Sequence, residues 1–270
     1  MKYLFLILVS LSSLLNFLDS CKREKERTAD SFEDIVPSTN NKAESLEIPA
    51  FSRSEDINKY KGFTVSYNHT TLVPNWVAYE LTSSELDGDY DNKNSNFSRD
   101  PNLIGSQASR EDYSNSGWDK GHMAPKADMR WSSQAYWQSH YFTNICPQNH
   151  KFNAGDWNTL EKSVRNWARK YERIWIVCGP IFTTHQYGTI GQAKVQVPDK
   201  FFKALLIKNG NDYESIAFVM PNNGQHHPQN SYAMSVDQLE EIIQRDLFPN
   251  LEDPIEEATE RDFDLTYWKQ

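Results

Sequence analysis

Hydrophobic and polar positions change their spacing several times along the chain, and these changes delimit the predicted elements. From 157 to 171 the apolar residues recur at steps of three and four, which predicts an amphipathic helix beginning after Gly155. A second stretch with helical spacing covers 236–246. Ser132 can cap a short helix that continues to residue 138, because its hydroxyl can accept from the first free backbone N–H groups.

Other apolar runs are short and rich in β-branched or aromatic residues, which predicts strands. They cover 74–81, 141–145, 173–178, 201–207 and 213–219. Asn209-Gly210-Asn211 joins the last two and is typical of a hairpin turn, whereas Gly179-Pro180 is expected to stop the strand before them. Strands outnumber helices and pair with near neighbours. The pattern therefore predicts an α+β fold with a mainly antiparallel central sheet flanked by helices.

The N-terminal segment has a different character. Lys2 precedes an apolar run, 3–18, that is too short for a comfortable membrane span and typical of a secretory signal. The run ends near Cys21 in a sequence similar to the lipidation box of bacterial lipoproteins. Three outcomes remain open: a lipid anchor on Cys21, simple cleavage, or an uncleaved signal anchor. Each predicts an exported protein, whether secreted, periplasmic or a membrane-anchored lipoprotein.

Residues 22–56 are charged, dotted with Ser, Thr and Asn, and poor in aromatic residues. Such a segment buries too little apolar area to offset the entropy lost on ordering, so a flexible tether is predicted. The expected organisation is a signal segment at 1–21, a tether at 22–56, one folded domain at 57–250 and an acidic C-terminal tail at 251–270.

The net charge of −9 argues against a polyanionic substrate, but the distribution of charge does not. Between Asp119 and Arg173 there are nine Lys and Arg against five Asp and Glu, whereas seven acidic residues fall between Glu252 and Asp264. A basic region on an acidic body is compatible with modest, salt-sensitive binding of phosphate groups.

Cys146 and Cys178 lie inside predicted core segments. Export would permit a disulfide between them, and two buried free thiols are the alternative. Their spacing is not that of a zinc site.

Candidate chemistry concentrates between Ser116 and Tyr171. Hydrolysis of a phosphodiester needs a base for the attacking water, and a histidine of near-neutral pKa suits that task. Mg²⁺ can stabilise the phosphate and the leaving oxygen while bound to only one or two protein oxygens. Taken singly, the residues have ordinary alternatives: a structural or surface role for His122, a helix cap for Asn153, and a helix-surface ion pair for Glu161 with Arg165.

Taken together, these residues fall within four motifs. They are Asp119-Lys120-Gly121-His122-Met123-Ala124-Pro125, Asn144-Ile145-Cys146-Pro147-Gln148-Asn149, Asn153-Ala154-Gly155-Asp156-Trp157 and Leu160-Glu161. The combination closely resembles the DNA/RNA non-specific endonuclease family, the ββα-metal nucleases. The resemblance covers about 76–246 and leaves out the leader, the tether and the acidic tail. It implies a ββα-metal motif within the α+β fold, a nuclease domain at 57–250, and hydrolysis of DNA and RNA with Mg²⁺, Mn²⁺ or another divalent ion.

The resemblance also implies a role for each matching residue. His122 corresponds to the general base, Asn153 to the metal ligand and Glu161 to the residue that orients water. Asn144 corresponds to a residue that supports the site. Arg165, Lys120 and Lys93 are the expected contacts to the phosphate.

The chain departs from the family pattern at two of these positions. Lys120 stands where the motif has an arginine, and Lys93, four residues before Phe97, stands where the family has an upstream arginine. Each lysine keeps the positive charge but loses the bidentate geometry of arginine. Two other functions therefore stay open: a nuclease-like module that binds nucleic acid without cutting it, and a phosphodiesterase for small nucleotides.

Overall fold

The computed structural model describes residues 45–93 and 95–269. Residues 45–50 and 54–269 belong to the unit considered below, while 51–53 group with a separate unit. The predicted signal segment, Cys21 and the first part of the tether lie outside the described residues. Within the described part, no helix has both the length and the apolar character needed to cross a membrane.

A seven-stranded sheet forms the centre of the unit, in the order β1-β2-β3-β6-β9-β10-β11, and every neighbouring pair is antiparallel. The strands are β1 Asp56–Lys59, β2 Thr64–Asn68, β3 Val73–Thr82, β6 Arg173–Ile181, β9 Lys200–Asn209, β10 Asp212–Pro221 and β11 Ala233–Met234. Two small antiparallel pairs stand apart from it: β4 Asp119–His122 with β5 Ile145–Gln148, and β7 Thr189–Ile190 with β8 Val195–Gln196.

The helices of the described residues complete the predicted α+β fold, which is confirmed. They are α1 Arg110–Tyr113, α2 Ser133–Gln138, α3 His150–Phe152, α4 Asn158–Tyr171, α5 Val236–Ile243 and α6 Asp253–Glu260. A π-helical turn, Asn153–Trp157, joins α3 to α4. Ser132 caps α2 as predicted, since its hydroxyl accepts a hydrogen bond from the Ala135 N–H at 3.4 Å.

The sheet is covered by helices on both faces. Trp167 of α4 stacks on Phe218 of β10, with 6.3 Å between ring centroids. Ser215, three residues earlier on the same strand, donates a hydrogen bond to the carbonyl oxygen of Thr259 in α6. Side chains three apart on a strand point to opposite faces. Helix α4 and the nuclease-like motifs therefore occupy one face of the sheet, and α6 packs on the other.

Three element boundaries differ from the sequence prediction. The run 141–145 is not a strand, because Phe142–Asn144 forms a 3₁₀ turn and β5 begins at Ile145. Strand β6 continues past Gly179-Pro180 to Ile181. Its pairing with β3 ends at Cys178, so the missing N–H of Pro180 breaks no hydrogen bond to β3. Helix α5 ends at Ile243, where Gln244 takes a left-handed conformation with φ 53°.

Cys146 and Cys178 are buried free thiols, so the disulfide alternative is excluded. The Cys178 thiol donates to the carbonyl oxygen of Met123 at 3.4 Å, which connects β6 to the residue after His122. Burial raises the pKa of both thiols, and both therefore stay protonated at neutral pH.

Both ends of the expected folded domain extend further than predicted. The Ala50 N–H donates to the carbonyl oxygen of Asp246 at 2.9 Å, and β1 begins at Asp56, so the end of the predicted tether is packed. The acidic segment expected as a tail carries α6, and beyond it Trp268 is only 4 % exposed. The Trp268 ring meets Trp167 edge-on at 5.1 Å, which ties this segment to α4.

Replacing Trp268 by alanine tests whether this segment contributes to the folded unit. Trp268→Ala should lower the free energy of unfolding by about 3–5 kcal/mol, because it leaves a cavity beside Trp167. Chemical denaturation followed by far-ultraviolet circular dichroism, which reports on the backbone, measures the change. Ile104→Ala is the control: that side chain is 92 % exposed and should change stability by about 0.5 kcal/mol or less. Equal midpoints for the two variants would contradict the packing of the C-terminal segment.

Candidate active site

The ribbon of β4 and β5 leads into the π-helical turn and α4, and these elements carry the residues singled out by the sequence. Asp119 pairs with Gln148 and His122 with Ile145. Gly121 makes room for the buried Gln148 side chain, because a Cβ at this position would lie 2.1 Å from it. A larger residue at this position of the motif would have to displace Gln148.

The His122 imidazole lies at the end of β4 between the rings of Phe97 and His140, each with its centroid 5.3 Å away. Its Nε2 is buried and has no hydrogen-bond partner among the described residues. Burial, together with the charges of His140 and Lys126, lowers the pKa of His122 to about 3. The ring is therefore neutral at physiological pH and able to accept a proton.

Asn144 holds the chain that follows His122. Its Oδ1 accepts from the Ala124 N–H at 2.9 Å, and its Nδ2 donates to the carbonyl oxygens of Ala124 and Ser139 at 2.8 and 2.9 Å. The side chain is completely buried. All three hydrogen bonds of the Asn144 amide are to backbone groups. Asn144 therefore fixes the local backbone and does not face the reaction centre.

Asn153 lies at the first position of the π-helical turn. Its Nδ2 donates to Oδ2 of Asp119 at 3.0 Å, and the same carboxylate oxygen contacts Nδ1 of His150 at 2.9 Å. Because the nitrogen is held, the amide oxygen has a defined orientation. A neutral amide oxygen beside a carboxylate is a donor set that suits Mg²⁺, which retains most of its water ligands. The residues present therefore fit a hydrated divalent cation held at Asn153.

A second hydrogen bond connects the π-helical turn to the ribbon. Trp157 Nε1 donates to the carbonyl oxygen of His122 at 3.2 Å. Together with the Asp119–Asn153 bond, it fixes the start of α4 against both ends of β4. The two bonds thus connect the turn that carries Asn153 to the strand that carries His122.

Glu161 lies on the first turns of α4 and is partly buried. Burial raises its pKa, the nearby Lys203 and Arg165 lower it, and Asp128 raises it, leaving a value of about 7. Lys203 comes from β9 and is fully buried, with its Nζ 4.5 Å from the centroid of the Trp157 ring. Its ammonium has no hydrogen-bond partner among the described residues. Glu161 and Lys203 are thus a coupled pair of charges beneath the start of α4.

Arg165 pairs with Asp128 instead of forming the helix-surface ion pair with Glu161 that its spacing allows. Its Nη1 donates to Oδ1 of Asp128 at 2.8 Å, and that carboxylate is wholly buried. Tyr79 of β3 donates to the other oxygen at 2.9 Å. Burial raises the pKa of Asp128 while Arg165 lowers it. One guanidinium nitrogen of Arg165 is therefore occupied by Asp128, and the partly exposed side chain can make other contacts.

The two lysines that replace family arginines have different settings. Lys120 shares a strand face with His122, and its Nζ lies 5.5 Å from the Phe97 ring centroid and 5.9 Å from that of Tyr113. Lys93 is exposed in the loop before Phe97. Lys120 thus belongs to the cluster around His122, while no described contact brings Lys93 to it.

Sequence reasoning missed Lys203, Asp128 and Lys126, which supply much of the electrostatics around His122 and Glu161. Lys203 could have been found from the sequence, because it is a charged residue inside the apolar run 201–207. Asp128 carried no such signal, because it follows an irregular segment and becomes buried only through Tyr79 and Arg165.

Comparison with known proteins shows which sequences this chain is related to. A sequence profile described as DNA/RNA non-specific endonuclease matches residues 42–253. A mitochondrial nuclease EXOG from Xenopus laevis is 33 % identical over 209 residues, which is 72 % of this chain and 58 % of that protein. The mitochondrial endonuclease G of Homo sapiens is 33 % identical over 173 residues, 60 % of this chain and 58 % of its own. The matches thus span under three fifths of these relatives.

The fold has a counterpart among solved structures. A crystal structure of an EndoG/EndoGI complex superposes with a TM-score of 0.72 at 24 % identity, covering 76 % of this chain and 90 % of that one. At this identity the likeness concerns the fold alone.

The same comparisons correct the prediction of localisation. The expectation of a secreted, periplasmic or lipid-anchored protein is wrong, because several related sequences are mitochondrial nucleases by name. The apolar run after Lys2 was assigned from hydropathy and length, properties that describe a targeting segment without naming its destination.

The coupling of Glu161 to its neighbours predicts a measurable titration. Glu161 should take up a proton near pH 7, and Lys203→Met should move that titration to higher pH because it removes the positive charge that favours the carboxylate. Carboxyl ¹³C NMR assigned with Glu161→Gln measures both values. Lys208→Met, at an exposed position on the same strand, is the matched control and should leave the titration unchanged.

The sign of the stability effect follows from the raised pKa. The folded chain holds the Glu161 proton to higher pH than the unfolded chain does, so ionisation costs stability as pH rises from about 4.5 towards 7. Glu161→Gln should therefore gain in stability relative to the parent across that window and hold the gain above it. A constant difference between the two proteins from pH 4 to 8 would contradict the titration assigned to Glu161.

Proposed function

The chain belongs to the DNA/RNA non-specific endonuclease family, and from that membership we propose that it is a Mg²⁺-dependent endonuclease acting on DNA and RNA. It hydrolyses phosphodiester bonds with little base preference and leaves 5′-phosphates. The proposal is supported by two hydrogen bonds, from Asn153 to Asp119 and from Trp157 to the His122 carbonyl oxygen, which join the turn carrying Asn153 to the strand carrying His122.

His122 acts as the general base and takes a proton from the attacking water. Its ring is packed between those of Phe97 and His140, and its buried Nε2 has no hydrogen-bond partner among the described residues. The low pKa of the free site, about 3, favours the neutral ring. An anionic phosphate bound beside the ring raises that pKa towards neutrality, which strengthens the base when substrate is present.

Asn153 would hold the cation through its amide oxygen. When bound, Mg²⁺ supplies positive charge to the phosphate oxygens and to the leaving 3′-oxygen. Because Asn153 is neutral, it leaves the charge of the ion undiminished. Glu161 accepts a hydrogen bond from water at the site in its ionised form, and Lys203 favours that form.

Phosphate binding falls to positively charged side chains around His122. Lys120 and Arg165 contact the phosphate, Lys93 contributes from the exposed loop, and Asn144 supports the backbone beneath them. Contacts of this kind position a nucleic acid without specifying its sequence, which accounts for the low base preference.

A plasmid-nicking assay on the full chain tests the proposal. Parent protein should convert supercoiled DNA to nicked and linear forms with Mg²⁺ and lose this activity in chelator. His122→Ala should slow cutting by about 10²–10⁴-fold, the range of general acid–base catalysis, and Asn153→Ala should lose the cutting that depends on Mg²⁺. His185→Ala, an exposed histidine that contacts Gln196, is the control and should cut at the parent rate.

The same assay separates the other two functions. Retained DNA binding without cutting by the parent protein would identify a non-catalytic module. Faster hydrolysis of a dinucleotide ester than of plasmid would identify a phosphodiesterase for small nucleotides. Parent-like turnover by His122→Ala would remove the base assignment.

A further inference from the structure

A cluster of carboxylates lies between α5 and α6, on the face of the sheet opposite the candidate active site. Asp237 and Glu240 come from α5, and Glu260 is the last residue of α6. One oxygen atom from each of the three lies within 4.8 Å of the other two. Asp246 and Glu256 add further negative charge around them.

Glu260 distinguishes this cluster from ordinary surface acids. It is only 3 % exposed, and its Oε1 is buried without a hydrogen-bond partner among the described residues. Its main electrostatic neighbours are Glu240, Glu256, Asp246 and Asp237, none of which is a cation. Leaving a buried acceptor unpaired costs about 1–3 kcal/mol, and more when the group is charged. The Glu260 carboxylate is thus a buried group with an unpaired oxygen, and one of its oxygens belongs to the group of three that could hold a metal ion.

We propose that Asp237, Glu240 and Glu260 bind one Ca²⁺ ion, at a site separate from the one at Asn153. Three carboxylates in one group suit Ca²⁺, which takes six to eight oxygen ligands in flexible geometry, whereas Mg²⁺ usually takes one or two carboxylates and keeps several waters. Partial exposure of Asp237 and Glu240 leaves room for the water ligands that complete the coordination of Ca²⁺.

The site would join two helices that are separate in sequence. Helix α5 packs on β10, and Ser215 of the same strand holds α6 through the Thr259 carbonyl oxygen. A cation shared by α5 and α6 neutralises the repulsion between their acids and binds the folded chain only. It therefore stabilises the fold by linkage.

Calorimetric titration of the full chain with CaCl₂ tests this site, using Asn153→Ala so that binding at the candidate active site does not contribute. Ca²⁺ should bind with a stoichiometry of one and raise Tm by about 3 °C for each tenfold excess over Kd, whereas MgCl₂ should have a smaller effect. In the same background, Glu260→Gln should lose both the heat and the Tm increase. Glu257→Gln, an exposed neighbour on α6, should retain both.

Without added metal, Glu260→Gln should be about as stable as its parent, because the amide keeps the shape of the side chain. If it fails to fold, Asp237→Asn at an exposed position decides, and loss of Ca²⁺ binding is expected. The proposal is overturned if the parent binds no Ca²⁺ at millimolar concentration, or if the variants that fold bind it as tightly as the parent does.

Discussion

The hydrogen bond between Asn153 and Asp119 connects two pieces of chain that would otherwise be independent. One is a four-residue strand, and the other is a π-helical turn that leads into α4. Neither element is stable alone, because a short two-stranded ribbon and a single helical turn each lack a core. The hydrogen bond from Trp157 to the His122 carbonyl oxygen joins the same two pieces of chain. Geometry at the reaction centre therefore depends on packing of the whole α4 face.

Central strands of the sheet contribute charge as well as support. Tyr79, Cys178 and Lys203 come from β3, β6 and β9, and they reach Asp128, Met123 and the Trp157 ring respectively. Burying a lysine and an aspartate this close is costly unless each has an opposite charge nearby. Arg165 and Glu161 provide that balance. The result is a set of fixed charges that needs little reorganisation when a phosphate binds.

Sequence patterns captured the parts of this arrangement that depend on local spacing. Helix α4 followed from its apolar stripe, and the β9–β10 hairpin from Asn209-Gly210-Asn211. The predicted boundaries of elements were wrong where a contact with a residue distant in sequence determines them. Asn144 ends a 3₁₀ turn because its amide bonds to Ala124 and Ser139, and no local pattern encodes those partners.

The candidate site shows the same division. His122, Asn153 and Glu161 could be assigned because a motif keeps them at fixed separations in sequence. The pairing of Arg165 with Asp128, and the burial of Lys203 under Trp157, arise only when β3, β9 and α4 pack together. Burial also moved the pKa of His122 far from the near-neutral value assumed for an isolated histidine. Desolvation is a property of tertiary structure, so composition could not have supplied it.

Because α6 lies on the face of the sheet opposite α4, the two faces of the sheet carry charge of opposite sign. Acidic residues of α6 lie behind the β-sheet, whereas Lys126 lies near His122 and Arg165 near Glu161 in front of it. A polyanion approaching from behind is repelled, and one approaching from the front is attracted. The negative charge behind the sheet and the positive charge in front of it thus act together on the approach of an anion, and added salt weakens both effects.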